Sequence, residues 1–174
     1  AKQSITDQSC IPGTVLMDAR VLKTVPDYQK KATMMDALCQ GIESWWSINA
    51  TDESKLYSKI AVQMITQYWE DYIFHNTDEA AEGIMTAANF AGRAINITQT
   101  TAPHAMSYKL TSMFGLPHGH AVGICLPVVW HYMIKHLEQC IDTRGKEYLQ
   151  TIFDDIALAL ECPSACDAAD FMHD

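Results

Sequence analysis

The sequence lacks the features that would indicate a membrane, a secretion route or a nucleic-acid partner. Its longest nearly apolar run, residues 121–130, is interrupted by Gly123 and Pro127 and is much shorter than the ~20 residues that span a bilayer. No basic start followed by an apolar stretch marks a signal peptide. Lysine and arginine number 12 against 21 acidic residues, and the formal charge of −9 is the wrong sign for nucleic acid. We therefore expect a cytoplasmic protein with no membrane and no nucleic-acid partner.

The composition that remains is that of a folded domain. The 174 residues are 48% hydrophobic and 19% charged, which suits one domain with a sizeable core. Six cysteines are present, but a chain of this length needs no disulfide framework, and Cys39 and Cys125 lie in strongly apolar stretches. Cys162 and Cys166 have no second pair at the spacing of a structural zinc site.

Helical periodicity dominates and predicts an all-α fold with a short extended N-terminal segment. From Thr33 onward, apolar residues recur on one face of a helix. Further helices are expected at about residues 52–74, 78–96, 100–115, 118–133 and 145–160, and none after them. The one candidate strand, Thr14–Met17, ends at Asp18.

Several polar residues are placed where they could carry chemistry. Asp36 and Gln40 lie at i and i+4, so both side chains can reach a common point, although such a face is also typical of a solvated helix. His104 lies in the first turn of a helix that begins near a proline. His118 lies in Gly-Leu-Pro-His-Gly, a turn that leads sharply into another helix. The two histidines converge if these helices form a hairpin; the alternative is that they are satisfied core or surface histidines.

Taken together, these stretches resemble a known family. Met35-Asp-Ala-Leu-Cys-Gln-Gly-Ile-Glu43, His104-Ala-Met, Phe114-Gly-Leu-Pro-His-Gly119 and Leu126-Pro127 are similar to the iron-containing (group III) alcohol dehydrogenases, whose superfamily includes glycerol dehydrogenase and dehydroquinate synthase. The resemblance implies the helical metal-binding domain of that fold. In the family this domain follows a dinucleotide-binding domain with a Gly-Gly-Gly-Ser loop, and this sequence contains no such loop. We therefore expect residues 1–32 to be an extended segment arriving from a missing nucleotide-binding domain, and residues 33–174 to be a helical metal-binding domain that is incomplete at its C-terminus.

The resemblance also implies a metal site. It places the metal ligands at Asp36, His104 and His118, and a fourth ligand, a histidine in the family, at Gln40. An amide oxygen is a weaker ligand than imidazole, but three protein ligands and an open position suffice for a catalytic metal. Tyr108 stands where many members have an active-site histidine, so it is expected to assist proton transfer or to shape the pocket. Glu43 is expected to support the ligand helix.

The activity that the resemblance implies is that of an alcohol dehydrogenase or aldehyde reductase. Fe²⁺ or Zn²⁺ would polarise the carbonyl, and NAD(P)H held by the missing domain would supply hydride. A small aldehyde or alcohol is the expected substrate and a homodimer the expected assembly. Phosphonoacetaldehyde is one candidate substrate, and Arg93 and Lys109 are the nearby cations that could hold a phosphonate. Two alternatives are a dehydroquinate-synthase-like lyase and a non-catalytic helical interaction fragment.

Overall fold

Helices make up most of the chain that a computed structural model describes, residues 7–172, and no strand occurs in that range. The α-helices are α1 (Asp27–Trp46), α2 (Asp52–Glu70), α3 (Asp78–Thr98), α4 (Ala102–Phe114), α5 (His118–Lys135), α6 (Lys146–Ala159) and α7 (Ala165–Phe171). Short 3₁₀ segments lie at Gln8–Cys10, Ala19–Thr24 and Leu137–Gln139, and a π-turn at Asp71–His75 prolongs α2. The predicted all-α fold is confirmed. Among the described helices, none combines the length and the apolar character needed to cross a membrane.

The centre of the bundle is α1, which packs against α2, α3, α5 and α6. The apolar face that the sequence predicted is buried, with Ile42 fully inaccessible. The polar side is buried as well in the second half of this helix, since Glu43 and Ser44 are also inaccessible. The interpretation of that side as a solvated face is therefore wrong for the second half of α1. Its polar side chains instead point into the protein, where each needs a partner.

An aromatic cluster joins α1 to α5 and α6. The rings of Trp46 and Trp130 meet edge to face with centroids 5.6 Å apart, and Phe153 lies 6.1 Å from each of them. Such edge-to-face contacts add to the stabilisation that comes from burying the rings. The core beside the site is therefore built from large, closely packed rings.

Arg144 fastens the loop before α6 to the end of α1. Its guanidinium donates to the carbonyl oxygens of Ser47, at 2.8 Å, and Ala50, at 3.2 Å. Asp142 holds the same guanidinium in a paired contact, and the ring of Tyr148 lies 4.3 Å from the guanidinium carbon. Carbonyls beyond a helix end need donors, and Arg144 supplies them.

Helix starts follow local sequence signals where capping residues are present. Thr51 begins α2 with a reciprocal capping box. The Thr51 hydroxyl accepts a hydrogen bond from the Ser54 amide, and the Ser54 hydroxyl accepts one from the Thr51 amide. The start of α4 has Pro103 in its first turn, as predicted.

Three predictions about element limits are wrong. Thr14–Met17 is not a strand: it is exposed coil, because no second strand pairs with it among residues 7–172. The first long helix begins at Asp27 rather than at Thr33, because Pro26 and Asp27 start a helix instead of interrupting the chain. A further helix, α7, follows α6, with the side chain of Ser164 capping it.

Candidate metal centre

The hairpin of α4 and α5 brings the two histidines together. After α4, Gly115 adopts a left-handed conformation with φ of 70°, which reverses the chain and lets α5 begin at His118. The rings of His104 and His118 then lie 5.2 Å apart between centroids. The hairpin therefore places His104 and His118 next to each other although they are fourteen residues apart in the sequence.

Asp36 completes the cluster from α1. Its Oδ1 lies 3.2 Å from Nε2 of His104 and 3.9 Å from Nε2 of His118. One donor atom from each of the three residues falls within 4.8 Å of the others. The His104 side chain is only 4% exposed, whereas Asp36 and His118 are 25% and 31% exposed, so the cluster opens to solvent on one side.

His104 has carboxylates on both sides of its ring. Nδ1 contacts Oε1 of the fully buried Glu43, and Nε2 faces Asp36. The other oxygen of Glu43 accepts from the Thr101 amide at 2.5 Å and from the Thr101 hydroxyl at 2.8 Å. Desolvation lowers the pKa of His104, but the hydrogen bonds to Asp36 and Glu43 outweigh it and raise this pKa to about 9.

His118 is oriented by two neighbouring residues of α4. The Ser107 hydroxyl donates to the carbonyl oxygen of His104 at 2.7 Å, so it can accept from Nδ1 of His118 at 3.3 Å. Tyr108 stacks on the His118 ring, with centroids 5.6 Å apart and an interplanar angle of 11°. Both contacts leave Nε2 of His118 directed toward Asp36.

Gln40 lies one helical turn beyond Asp36 on α1 and is partly buried. Cys39, its neighbour, is fully buried, and desolvation raises the pKa of its thiol well above the usual value. Cys39 is not among the residues whose donor atoms converge with Asp36.

The cluster fits a divalent cation by the chemistry of its donors. One carboxylate and two imidazoles suit Fe²⁺ and Zn²⁺ alike. Nδ1 of each ring has a hydrogen-bond partner, Glu43 for His104 and Ser107 for His118, and Nε2 of each ring faces Asp36, so both Nε2 atoms could reach a shared cation. The carboxylates of Asp36 and Glu43 would together balance two positive charges.

His120 and His131 have partners outside the cluster. Nδ1 of His120 lies 2.6 Å from the Tyr28 hydroxyl, and Nε2 of His131 lies 2.9 Å from Oδ1 of Asp170. Lys109 is exposed on α4, while Arg93 on α3 stacks on the ring of Tyr57.

Sequence reasoning missed Ser107 and Thr101 as supporting residues. Ser107 lies three residues after His104, so a helical wheel places it near that histidine. Its contact with His118 depends on the angle of the hairpin, which no sequence pattern gives. Thr101 precedes α4, but its hydroxyl makes no capping hydrogen bond and instead donates to Glu43.

A helical bundle that directs carboxylate and imidazole groups from facing helices to one point is the architecture of a metal-binding domain. Residues 30–173 match the family described as "Fe-containing alcohol dehydrogenase family, C-terminal". The chain belongs to the Fe-containing alcohol dehydrogenase family.

Individual relatives agree with this membership. The chain is 33% identical over 163 residues to phosphonoacetaldehyde reductase of Streptomyces viridochromogenes, which covers 91% of the chain and 41% of that protein. It is 26% identical over 133 residues to long-chain-alcohol dehydrogenase 1 of Geobacillus thermodenitrificans, covering 76% of the chain and 34% of that protein. Sulfoacetaldehyde reductase from Bifidobacterium kashiwanohense, solved with NAD⁺, superposes with a TM-score of 0.75 at 25% identity, over 90% of the chain and 39% of that structure. The chain thus spans about two fifths of the length of two of these relatives, and about a third of the other's.

Proposed function

We propose that this chain is the metal-binding domain of an NAD(P)H-dependent alcohol dehydrogenase or aldehyde reductase. The observation that carries the proposal is the convergence of donor atoms from Asp36, His104 and His118 within 4.8 Å. Relatives that are named alcohol dehydrogenase or aldehyde reductase support the reaction class. The family membership favours this interpretation over the two alternatives, a lyase and a non-catalytic fragment.

Oδ1 of Asp36 and Nε2 of His104 and His118 would hold Fe²⁺ or Zn²⁺, with Gln40 as a weaker, neutral fourth ligand. When bound, the metal supplies Lewis acidity that polarises a substrate carbonyl. His118 is the more exposed of the two histidines, so the substrate would approach from its side. Asp36 and the buried Glu43 would keep the loaded site close to neutral.

Tyr108 is the proposed catalytic residue of the chain. It is 40% exposed, and its ring stacks on His118, the more exposed histidine of the cluster. We assign to this hydroxyl a hydrogen bond to the substrate oxygen and delivery of the proton that completes the alcohol. Stacking on His118 restricts the ring and keeps the hydroxyl in position.

The hydride would come from NAD(P)H held by a separate nucleotide-binding domain outside these 174 residues. Residues 1–32 would lead from that domain into the helical metal-binding domain of residues 33–174, which would be incomplete at its C-terminus. The isolated chain would then bind metal without reducing aldehydes. A cytoplasmic homodimer acting on a small aldehyde or alcohol is the proposed working form of the whole protein.

Phosphonoacetaldehyde is the specific substrate we propose for the full-length protein. The similarity to a phosphonoacetaldehyde reductase supports it, and Lys109, exposed one residue beyond Tyr108, offers a cation for the phosphonate. Arg93 is a weaker candidate because it already stacks on Tyr57. Under this proposal, Lys109→Ala raises KM for phosphonoacetaldehyde and leaves KM for acetaldehyde unchanged.

The test is NADH and NADPH oxidation by the metal-loaded full-length protein with acetaldehyde and with phosphonoacetaldehyde. His118→Ala should abolish turnover, whereas the matched control His131→Ala should not. Tyr108→Phe should lower kcat and leave metal content unchanged. No turnover of any aldehyde would overturn the reaction class. Turnover of phosphonoacetaldehyde no better than that of acetaldehyde would overturn the specific substrate alone.

A further inference from the structure

Glu43 is a fully buried carboxylate with three hydrogen-bond donors directed at it. Oε1 contacts Nδ1 of His104, and Oε2 accepts from both the amide and the hydroxyl of Thr101. A buried carboxylate is costly unless its oxygens are satisfied, and here three donors satisfy both. The Glu43 carboxylate therefore acts only as an acceptor, and each of these three neighbouring groups must donate a proton to it.

The Thr101 hydroxyl cannot turn away from Glu43. Its oxygen already accepts from Nε1 of Trp46 at 3.0 Å, so its own proton remains for Oε2 of Glu43. The Thr101 amide, at 2.5 Å, is a fixed donor to the same oxygen. Oε2 is thus committed to Thr101, and Oε1 is left for His104.

We propose that Glu43 is a positioning residue that fixes the tautomer of His104, with the proton on Nδ1 and the lone pair of Nε2 turned toward Asp36. A neutral imidazole carries one proton, and the ring nitrogen that keeps it is the one with the better acceptor. Glu43 is inaccessible to solvent and contacts Nδ1 closely, whereas Asp36 is partly solvated and lies 3.2 Å from Nε2. Once the imidazole is neutral, its one proton therefore resides on Nδ1, and Nε2 carries the lone pair that can ligate.

The inference rests on the proposed metal site for its consequence, and it makes a sharp prediction for Glu43→Gln. Glutamine has one acceptor oxygen and one NH₂ donor in place of two acceptors. Because Thr101 presents two donors, the amide oxygen must remain there, and the NH₂ must face Nδ1 of His104. Nδ1 then has to accept, so the ring proton moves to Nε2, where it blocks the ligand position.

The experiment uses the 174-residue chain as wild type, Glu43→Gln and Thr101→Val. Thr101→Val is the matched control, because it removes a donor from the same carboxylate but leaves the contact between Glu43 and His104. Ring ¹⁵N NMR of the metal-free chain at about pH 10.5, above the His104 pKa of about 9, reports the tautomer of the neutral imidazole. Titration with Co²⁺, followed by its visible absorption, reports the affinity.

We expect the His104 proton on Nδ1 in wild type and in Thr101→Val, and on Nε2 in Glu43→Gln. Co²⁺ affinity should fall about 10- to 100-fold in Glu43→Gln and stay near the wild-type value in Thr101→Val. A wild-type proton on Nε2, or undiminished Co²⁺ affinity in Glu43→Gln, overturns the inference. If Glu43→Gln does not fold, the wild-type tautomer alone decides it. If wild type binds no Co²⁺, the proposed function fails, and the tautomer measurement still decides the role of Glu43.

Discussion

Gly119 lies so close to α1 that a Cβ atom at this position would stand 1.8 Å from the carbonyl oxygen of Ala32. The same Cβ would stand 2.9 Å from the Cβ of Asp36. Only a residue without a side chain allows the start of α5 to approach α1 this closely. Because His118 immediately precedes Gly119, the short distance between His118 and Asp36 depends on this contact.

Gly119→Ala is therefore expected to destabilise the chain and to weaken metal binding. The overlap is with backbone, which cannot move aside as a flexible side chain can, so we expect a loss of about 1–3 kcal/mol or more in the free energy of unfolding. Urea denaturation and Co²⁺ titration measure the two effects. Gly92→Ala in α3 is the control: a methyl group added there would meet nothing within 4 Å, and the variant should gain about 0.5–1 kcal/mol. Equal stability of the two variants would contradict the close contact.

Gln40→His should strengthen metal binding. Gln40 lies one turn beyond Asp36 on α1, and an imidazole there would replace a neutral amide oxygen with the stronger ligand that the family pattern has at this position. Zn²⁺ competition against a coloured chelator compares the variant with wild type. His118→Ala should bind far more weakly than wild type, and His131→Ala, a histidine bonded to Asp170, should bind equally well. Unchanged Zn²⁺ affinity in Gln40→His would mean that Gln40 does not face the metal.

Metal uptake should increase with pH over the range in which His104 loses its proton. The pKa of His104 is raised to about 9 in the metal-free chain, above its usual 6.5, so the cation must displace a proton at neutral pH. The apparent Zn²⁺ affinity should thus rise with pH up to about 9 and then level off. Phenol-red detection of the released proton offers an independent check.

The same pKa shift predicts a change in the stability of the metal-free chain. A histidine whose pKa is raised on folding stabilises the fold fully below its unfolded pKa of 6.5 and loses that contribution as the pH rises through about 9. The melting temperature should therefore decline across this window. His104→Gln, which cannot titrate, should show a smaller decline; an equal decline in both chains would assign the effect to other groups.

Arg144→Lys should destabilise the fold although the charge is kept. A lysine cannot donate to Ser47 and Ala50 while also pairing with Asp142, because it lacks the planar fork of the guanidinium. We expect a loss of about 1–3 kcal/mol in unfolding free energy. Arg20→Lys is the control: Arg20 is 88% exposed and pairs with its near neighbour Asp18, so its replacement should leave the denaturation midpoint unchanged.

The sequence predicted those parts of the fold that depend on local chemistry. Helical period and the proline at the start of α4 each act within a few residues, and each is confirmed. The errors occurred where a local signal had two meanings. A Pro-Asp pair is compatible both with a break in the chain and with the start of a helix, and here Pro26 and Asp27 start α1. Thr14–Met17 has strand-forming residues but no partner strand among the residues described.

The candidate site was predictable as a set of residues but not as an arrangement. The family motif pointed to Asp36, His104 and His118, which the structure brings together. The hydrogen bond between Ser107 and His118 depends on the crossing of two helices and on the reversal at Gly115, so no periodicity encodes it. The burial of Glu43 likewise depends on the packing of α2, α3, α5 and α6 around α1.

The fluorescence of Trp46 is coupled to the site through hydrogen bonds. Its indole nitrogen donates to Thr101, whose hydroxyl donates to Glu43, whose other oxygen contacts His104. The indole is thus two hydrogen bonds away from a carboxylate that responds to the state of the cluster. Its fluorescence, with Trp130 beside it as an energy-transfer partner, therefore reports electrostatic changes at the cluster without any attached dye.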